Sequence, residues 1–278
     1  MTGVNPITLR AWERRYGLIK PERTAKGHRL YTDQDIQQIL NITDSLQQGM
    51  SISQVANAVK SKKSPAQFDS PWTVFQERMF HAVIGFNSKE LEQVYNEVLS
   101  LYPNDIVVRM LFKPLLIKLG ERWQQMEGGV AEEHFFGSYL RNKLGAWFHH
   151  QNQNAHGTQI VAACFPGEQH EIGLLFFCQQ LVSHGFQVIY LGPDLPISEL
   201  KVVIQRTHVR VIVLSASAMT LTLETIKSLR DLVNDKSLSV FVGGEISVMN
   251  FDQLDSIGIK CLGTDLKHGL DNMLSQIM

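Results

Sequence analysis

The tightest constraint on this chain is the alternation of short apolar runs with helical patterns that begins at residue 159. Gln159-Ile160-Val161-Ala162-Ala163-Cys164 is an almost unbroken apolar run and reads as a strand buried on both faces. Runs at 186–191, 209–214, 238–242 and 260–263 repeat the theme. Helical patterns at 198–206, 223–233, near 251–257 and at 265–278 alternate with them. Strand–helix alternation predicts a parallel sheet, a Rossmann-like unit over 155–278. Ligands of open α/β sheets bind in the crevice outside the carboxyl ends of the strands. The chain places Glu168, His170 and Gly173 after the first strand there, Ser215 and Ser217 after a second, and Gly243 and Gly244 after a third. A histidine in that position can bind a metal through one ring nitrogen while the other donates to a carboxylate, which fixes the tautomer. Gly173 lets a bulky group approach the first helical turn without meeting a Cβ. The first βα turn lacks Gly-x-Gly-x-x-Gly, and no Gly-Lys-Ser/Thr phosphate loop occurs, so a nucleotide-processing enzyme is not indicated.

Taken in order, Glu168-x-His170-x-x-Gly173, Ser215 and Gly243-Gly244 resemble the cobalamin-binding motif of Asp-x-His-x-x-Gly, Ser and Gly-Gly. The resemblance implies that His170 is the lower ligand of cobalt, replacing the cofactor's own dimethylbenzimidazole. It further implies that the carboxylate and the serine form the hydrogen-bonded shell of His170, and that the glycines make room for the displaced nucleotide tail. Ser217 and Thr264, at the same sheet edge, join the expected binding residues. Glu168 stands where Asp is commoner, which changes the reach toward His170.

The N-terminal end carries a different signal. Residues 1–63 hold ten Lys/Arg against five Asp/Glu, about +5, and the remainder is about −6, which points to an anionic partner for the first segment. Asn5-Pro6 opens a helix, with Asn as cap and Pro at the first helical position. Ile7, Leu9 and Trp12 are expected on its apolar side, with Thr8 free to face a partner and Arg10, Glu13, Arg14 and Arg15 largely away from the core. Residues 19–31 form a turn-rich basic segment that reads as a short β-wing, and Thr32 caps a following helix. Arginines on a helix beside a basic wing are what duplex phosphates and base edges require. The run from Thr2 to Pro21, with Gly27-His28-Arg29-Leu30-Tyr31, resembles the winged helix-turn-helix of MerR-type transcription regulators. It implies DNA contacts from Thr8, Arg10, Arg14, Arg15, Tyr16, Lys20, Arg23, Lys26, His28, Arg29 and Tyr31. In that family another helix precedes the turn at Thr2-Gly3-Val4, so this head is expected to lack the first helix of the motif.

Residues 61–71 have the polar and proline content of a linker, and helical patterns follow at 72–85, 88–101, 104–125 and 131–150. A four-helix bundle over 72–154 is the economical reading. At its third turn lies Trp123, then nine residues, then Glu133-His134. This spacing resembles the motif of CarH/LitR-type photoreceptors, where Trp, Glu and His surround the adenosyl group of adenosylcobalamin. Val130 falls where that family also contacts adenosine. Gln124 occupies the position of a histidine that captures cobalt after photolysis, and an amide is a poor cobalt ligand.

No apolar run approaches the roughly 20 residues needed to cross a bilayer. Cys164, Cys178 and Cys261 are widely spaced among apolar neighbours, as reduced thiols of a cytoplasmic protein would be. The combined expectation is a multidomain α and α/β regulator, not an enzyme, and without a membrane partner. It would bind adenosylcobalamin and operator DNA and associate as a homo-oligomer, a tetramer when cofactor-bound. Two other readings compete: a corrinoid methyl-carrier protein, and a MerR-type regulator whose vestigial cobalamin domain answers to a protein partner.

Overall fold

The computed structural model describes residues 2–61, 70–123, 126–217 and 219–277. Most of the expected linker, and Gln124 at the position of the cobalt-capturing histidine, lie outside the described residues. The chain divides into two compact units, Met1–Phe136 and Gly137–Met278.

The first unit opens with α1 (Pro6–Ala11), whose first turn is closed by the Asn5 side chain accepting from the backbone N–H groups of Ile7 at 2.8 Å and Thr8 at 2.9 Å. The helix widens into a π-turn over Trp12–Tyr16 and stops at Gly17, which adopts φ +61°. Strands β1 (Glu22–Arg23) and β2 (Arg29–Leu30) pair antiparallel as the wing. A capping box starts α2 (Asp33–Gln47): Thr32 accepts from the Asp35 N–H at 3.2 Å, and the Asp35 carboxylate accepts from the Thr32 N–H at 2.8 Å. Ile39, Ile42 and Leu46 form its buried stripe, against which α3 (Ile52–Ser61) sets Ile52 and Val55.

One expectation about α1 is overturned. Thr8 is fully buried with Leu9 and Trp12, whereas Ile7 is 61% exposed. The cause is hydrogen bonding. Thr8 Oγ1 donates to the Leu99 carbonyl at 3.2 Å and Trp12 Nε1 to the Leu101 carbonyl at 2.9 Å. Both acceptors sit in the last turn of α5 (Ser88–Leu101), where carbonyls have lost their intrahelical donors. Satisfying them favours turning the polar Thr8 inward at the expense of Ile7.

The remaining helices of this unit are α4 (Pro71–Ile84), α5, α6 (Asn104–Val107), α7 (Lys113–Trp123) and the start of α8 (Gly129–Asn152). They bury Met79, Val83, Val94, Val98, Leu119 and Phe136. The third expected helix, 104–125, is interrupted by a π segment over Val108–Phe112. Pro114 explains this: it has no N–H for the Met110 carbonyl, which instead accepts from Gln76 Nε2 at 2.6 Å.

The second unit is a five-stranded, all-parallel sheet made of β3 (Gln159–Cys164), β4 (Gln187–Gly192), β5 (Val211–Ser215), β6 (Ser239–Gly243) and β7 (Lys260–Gly263), in the order β4-β3-β5-β6-β7. Alternate residues of each strand enter separate cores. Ile160, Ala162 and Cys164 pack under α9 (Ile172–Ser183) and α14 (Leu266–Ile277), with Phe148 of α8. Val161, Ala163 and Phe165 pack under α10 (Ile197–Thr207), α11 (Leu223–Val233), α12 (Glu245–Met249) and α13 (Phe251–Ser256). The strand order reverses at β3, so the carboxyl ends of β3 and β5 open the crevice. Of these elements only α12 was not expected; at five residues it shows no apolar stripe. No described helix is long and apolar enough to cross a membrane.

Candidate functional site

The loop leaving β3 is pinned from both neighbouring strands. Phe165 N–H donates to the Ser215 carbonyl at 3.1 Å, and Gly167 N–H donates to the Asp194 carboxylate, just beyond β4, at 2.6 Å. Asp194 N–H returns a bond to the Glu168 carbonyl at 3.0 Å, from a left-handed backbone at φ +52°. This frame buries Glu168 to 4% exposure while leaving the His170 side chain 69% exposed.

Every oxygen of Glu168 is used. Oε1 accepts the His170 N–H at 2.6 Å and lies 2.7 Å from His170 Nδ1, and Oε2 accepts the Ser217 N–H at 2.6 Å and the Ser217 hydroxyl. Burial raises the Glu168 pKa, but the bonds from Ser217 and His170 outweigh it, and the carboxyl lies below its ordinary value. An ionised carboxylate beside Nδ1 holds the hydrogen there. In the neutral ring the Nε2 lone pair is therefore the outward one, free for a metal.

The serine of this shell is Ser217, which corrects the role the motif implies for Ser215. The reason is reach. Glu168 is one methylene longer than Asp, and its far oxygen meets the hydroxyl two residues beyond the end of β5. The Ser215 hydroxyl instead lies 3.3 Å from where a Cβ on Gly244 would project. Gly244 has φ +87°, and a side chain there would run into the Ala216 carbonyl, so this glycine is required by the protein's own backbone. Gly173 is the opposite case. It is exposed in the first turn of α9, and a Cβ there would meet nothing within 4 Å. Nothing internal asks for glycine at that position. Gly243 ends β6 and Thr264 follows β7 at the same carboxyl edge.

Arg141, Glu171 and Tyr190 escaped sequence reasoning. Glu171 directly follows His170, yet it is buried, ion-paired with Arg141 and hydrogen-bonded by Tyr190. A carboxylate next to His170 was the available signal, but its partners are distant in sequence.

In the first unit, Trp123 ends α7 at 53% exposure, with Met126 and Val130 also exposed around the turn. Gly129 makes this corner tight: a Cβ there would lie 2.8 Å from the Trp123 Cα and 2.9 Å from the Arg122 carbonyl oxygen. Arg122 closes it, its Nε 2.6 Å from the buried Glu132 carboxylate. Glu133 is half-buried and His134 exposed one turn into α8.

On the head, Arg10, Arg14, Arg15, Lys20, Lys26 and His28 are exposed, and Tyr16 and Tyr31 half-buried. Burial raises the Tyr31 pKa. Two of the expected DNA contacts are already engaged: Glu13 pairs with Arg29 Nε at 2.6 Å and Arg23 Nη2 at 2.8 Å. Arg29 is mostly covered and ties the wing to α1, so it is a strut in place of the phosphate contact expected of it. Thr8, sealed against α5, is likewise removed from the DNA-facing set.

Among the described residues no group of three His, Cys, Asp or Glu side chains could hold a bare metal ion. A single imidazole with an open Nε2 suits a metal that brings its other ligands with it, as a corrinoid does. Comparison with known proteins gives the class, a DNA-binding regulator that carries B12-binding domains. Residues 1–62 match the MerR HTH family of regulatory proteins, and residues 158–265 and 75–147 match two descriptions of a B12 binding domain. The HTH-type transcriptional repressor CarH of Myxococcus xanthus is 31% identical over 211 residues, covering 72% of this chain and 70% of the relative. CarA of the same organism, also an HTH-type transcriptional repressor, is 28% identical over 203 residues, covering 72% and 68%. The regulator MlrA of Salmonella typhimurium is 38% identical over 116 residues, 42% of this chain and 47% of its own. The monomethylamine corrinoid protein of Methanosarcina barkeri shares the fold at TM-score 0.57 and 16% identity, covering 74% of this chain and 99% of its own. The chain belongs to the family of MerR-type regulators with cobalamin-binding domains, the family of CarH and CarA.

Proposed function

We propose that this protein is a cytoplasmic, adenosylcobalamin-dependent and light-responsive transcriptional repressor that grips operator DNA as a cofactor-assembled oligomer, a tetramer. The observation that carries the reading is the Glu168–His170 pair, an ionised buried carboxylate aiming an exposed imidazole, in a chain with a MerR-type head. His170 would hold cobalt through Nε2, with Glu168 and Ser217 keeping its tautomer and orientation. Gly173 keeps the first turn of α9 bare beside it. We assign Trp123, Val130, Glu133 and His134 to the adenosyl group, and Ser215, Gly243, Gly244 and Thr264 to the nucleotide tail. When bound, the cofactor supplies a light-sensitive cobalt–carbon bond. Arg10, Arg14, Arg15, Lys20, Lys26 and His28 would meet the operator. Similarity to two repressors supports the sense of regulation.

A ligand shifts an assembly equilibrium only through unequal affinity for its states. The test is size-exclusion chromatography with and without adenosylcobalamin, in the dark and after illumination. A larger species that requires the cofactor and reverts in light is expected; identical profiles in all conditions sink the proposal. With Gln124 after Trp123, the illuminated form is expected to show no second histidine ligand unless His134 supplies it.

A further inference from the structure

We propose that Glu171, clamped by Arg141 and Tyr190, is a positioning residue for His170; the inference rests on the reading of His170 as the cobalt ligand. His170 is largely surrounded by solvent, so packing does not hold its ring. Its direction depends on the backbone on either side. On the amino side the loop is anchored through Glu168 to Ser217, beyond β5. On the carboxyl side, the very next residue is Glu171, and its side chain is 7% exposed.

Both Glu171 oxygens are occupied. Tyr190 of β4 donates its hydroxyl to Oε2, and Arg141 of α8 donates Nε to Oε1. Buried and held at both oxygens by Tyr190 and Arg141, Glu171 shares no partner with the Glu168 shell. Its backbone is held too: its N–H donates to the Gln169 carbonyl at 3.1 Å, and its carbonyl starts α9 by accepting from Leu175 N–H at 2.9 Å. Tyr190 is itself fixed, its ring 5.9 Å from that of Phe148 on α8. His170 thus hangs between two buried carboxylates fastened to different elements. Glu168 fixes the tautomer; Glu171 fixes where the ring starts from.

An ion pair with a half-exposed arginine contributes little to stability; what it can specify is geometry. Here the geometry specified is the path of the chain through His170. Groups hydrogen-bonded to a ligand typically change metal affinity 10- to 100-fold when removed, and a residue one step further out is expected at the lower end of that range.

The test uses the full chain with R141M, R141K and Y190F. Arg141 is half exposed on a helix, so R141M keeps the fold, and Y190F removes one hydroxyl should it not. Titration with adenosylcobalamin gives the dissociation constant. Electron paramagnetic resonance of the cob(II)alamin-loaded protein made with 15N-labelled histidine shows whether a histidine nitrogen, and not that of the cofactor's own base, is on cobalt. The expected result is a roughly 10-fold weaker dissociation constant for R141M and Y190F, with a loss of the histidine-nitrogen splitting and partial recovery in R141K. A merely structural role would lower the melting temperature and leave the splitting intact, and that outcome overturns the inference. Wild-type affinity and splitting in both R141M and Y190F overturn it as well. If wild-type protein itself shows no histidine nitrogen on cobalt, the cobalt reading of His170 falls, and this inference with it.

Discussion

Two carboxylates, one in each unit, are built alike and used in opposite ways. Glu13 and Glu168 each bind two partners with both oxygens, and each has its pKa held below the ordinary value. Glu13 pairs with cations, drawing Arg23 and Arg29 of the wing toward α1. Glu168 instead takes the proton-bearing side of an imidazole and leaves the other nitrogen facing outward. The same residue type therefore ties down one surface and aims a ring at another, and the difference lies in the partner. A guanidinium bound by a carboxylate has its charge matched, whereas an imidazole has a second face.

The comparison breaks most readily at Glu168. Glu168→Ala is expected to weaken adenosylcobalamin binding about 100-fold, the upper range for the partner of a metal-ligating histidine, and Ser217→Ala about 10-fold. Ser215→Ala should titrate close to wild type. If Ser215→Ala is the more damaging of the two, the longer reach assigned to Glu168 is wrong.

In the head, Glu13→Ala strands the mostly covered Arg29 and should cost about 1–3 kcal/mol in urea unfolding. Its pH dependence has a definite sign. The Arg29 hydrogen bond is the largest cause holding Glu13 below 4.5, so the stability it contributes is present above that value and is lost as pH falls through the lower folded pKa. Glu13→Gln should flatten that acid limb. Thr8→Val, which removes the bond to the Leu99 carbonyl, should cost about 1 kcal/mol in the same assay. Were Thr8 a DNA contact, the variant would be stable and bind operator poorly.

A finer division concerns salt. Replacing Arg14 or Arg15 by Ala should each reduce the slope of log affinity for operator against log salt by about one. Arg29→Ala should lower stability and leave the slope almost unchanged. The smallest effect is the most specific: Gly173→Ala should stabilise the cofactor-free protein by up to about 1 kcal/mol, since nothing faces it and alanine favours a helix. The same change should weaken corrinoid binding. A variant that is more stable and binds equally well would show that this glycine leaves room for nothing.

How much of this was readable beforehand follows from which contacts are local. The parallel sheet, the β3 loop and the capping of α1 and α2 are written in short-range patterns: continuous apolar runs, Asn5-Pro6, Thr32 with Asp35. The burial of Thr8 was not readable, because it depends on carbonyls at Leu99 and Leu101, far along the chain. Pro114 announced a disturbed helix, but its form required knowing that Gln76 takes over the Met110 carbonyl. In the site, Glu168, His170 and Gly173 stood out by spacing. The exchange of Ser215 for Ser217 follows from one methylene group, and the Arg141–Glu171–Tyr190 clamp from tertiary pairing that no local pattern encodes.

The central claim is that His170 Nε2, aimed by Glu168, is the protein's bond to cobalt. The most direct measurement is electron paramagnetic resonance of the cob(II)alamin-loaded protein made with 15N-labelled histidine, beside the unlabelled protein. A nitrogen splitting that changes on labelling and disappears in His170→Ala is the predicted result. A splitting indifferent to the label, left by the cofactor's own dimethylbenzimidazole, would contradict it.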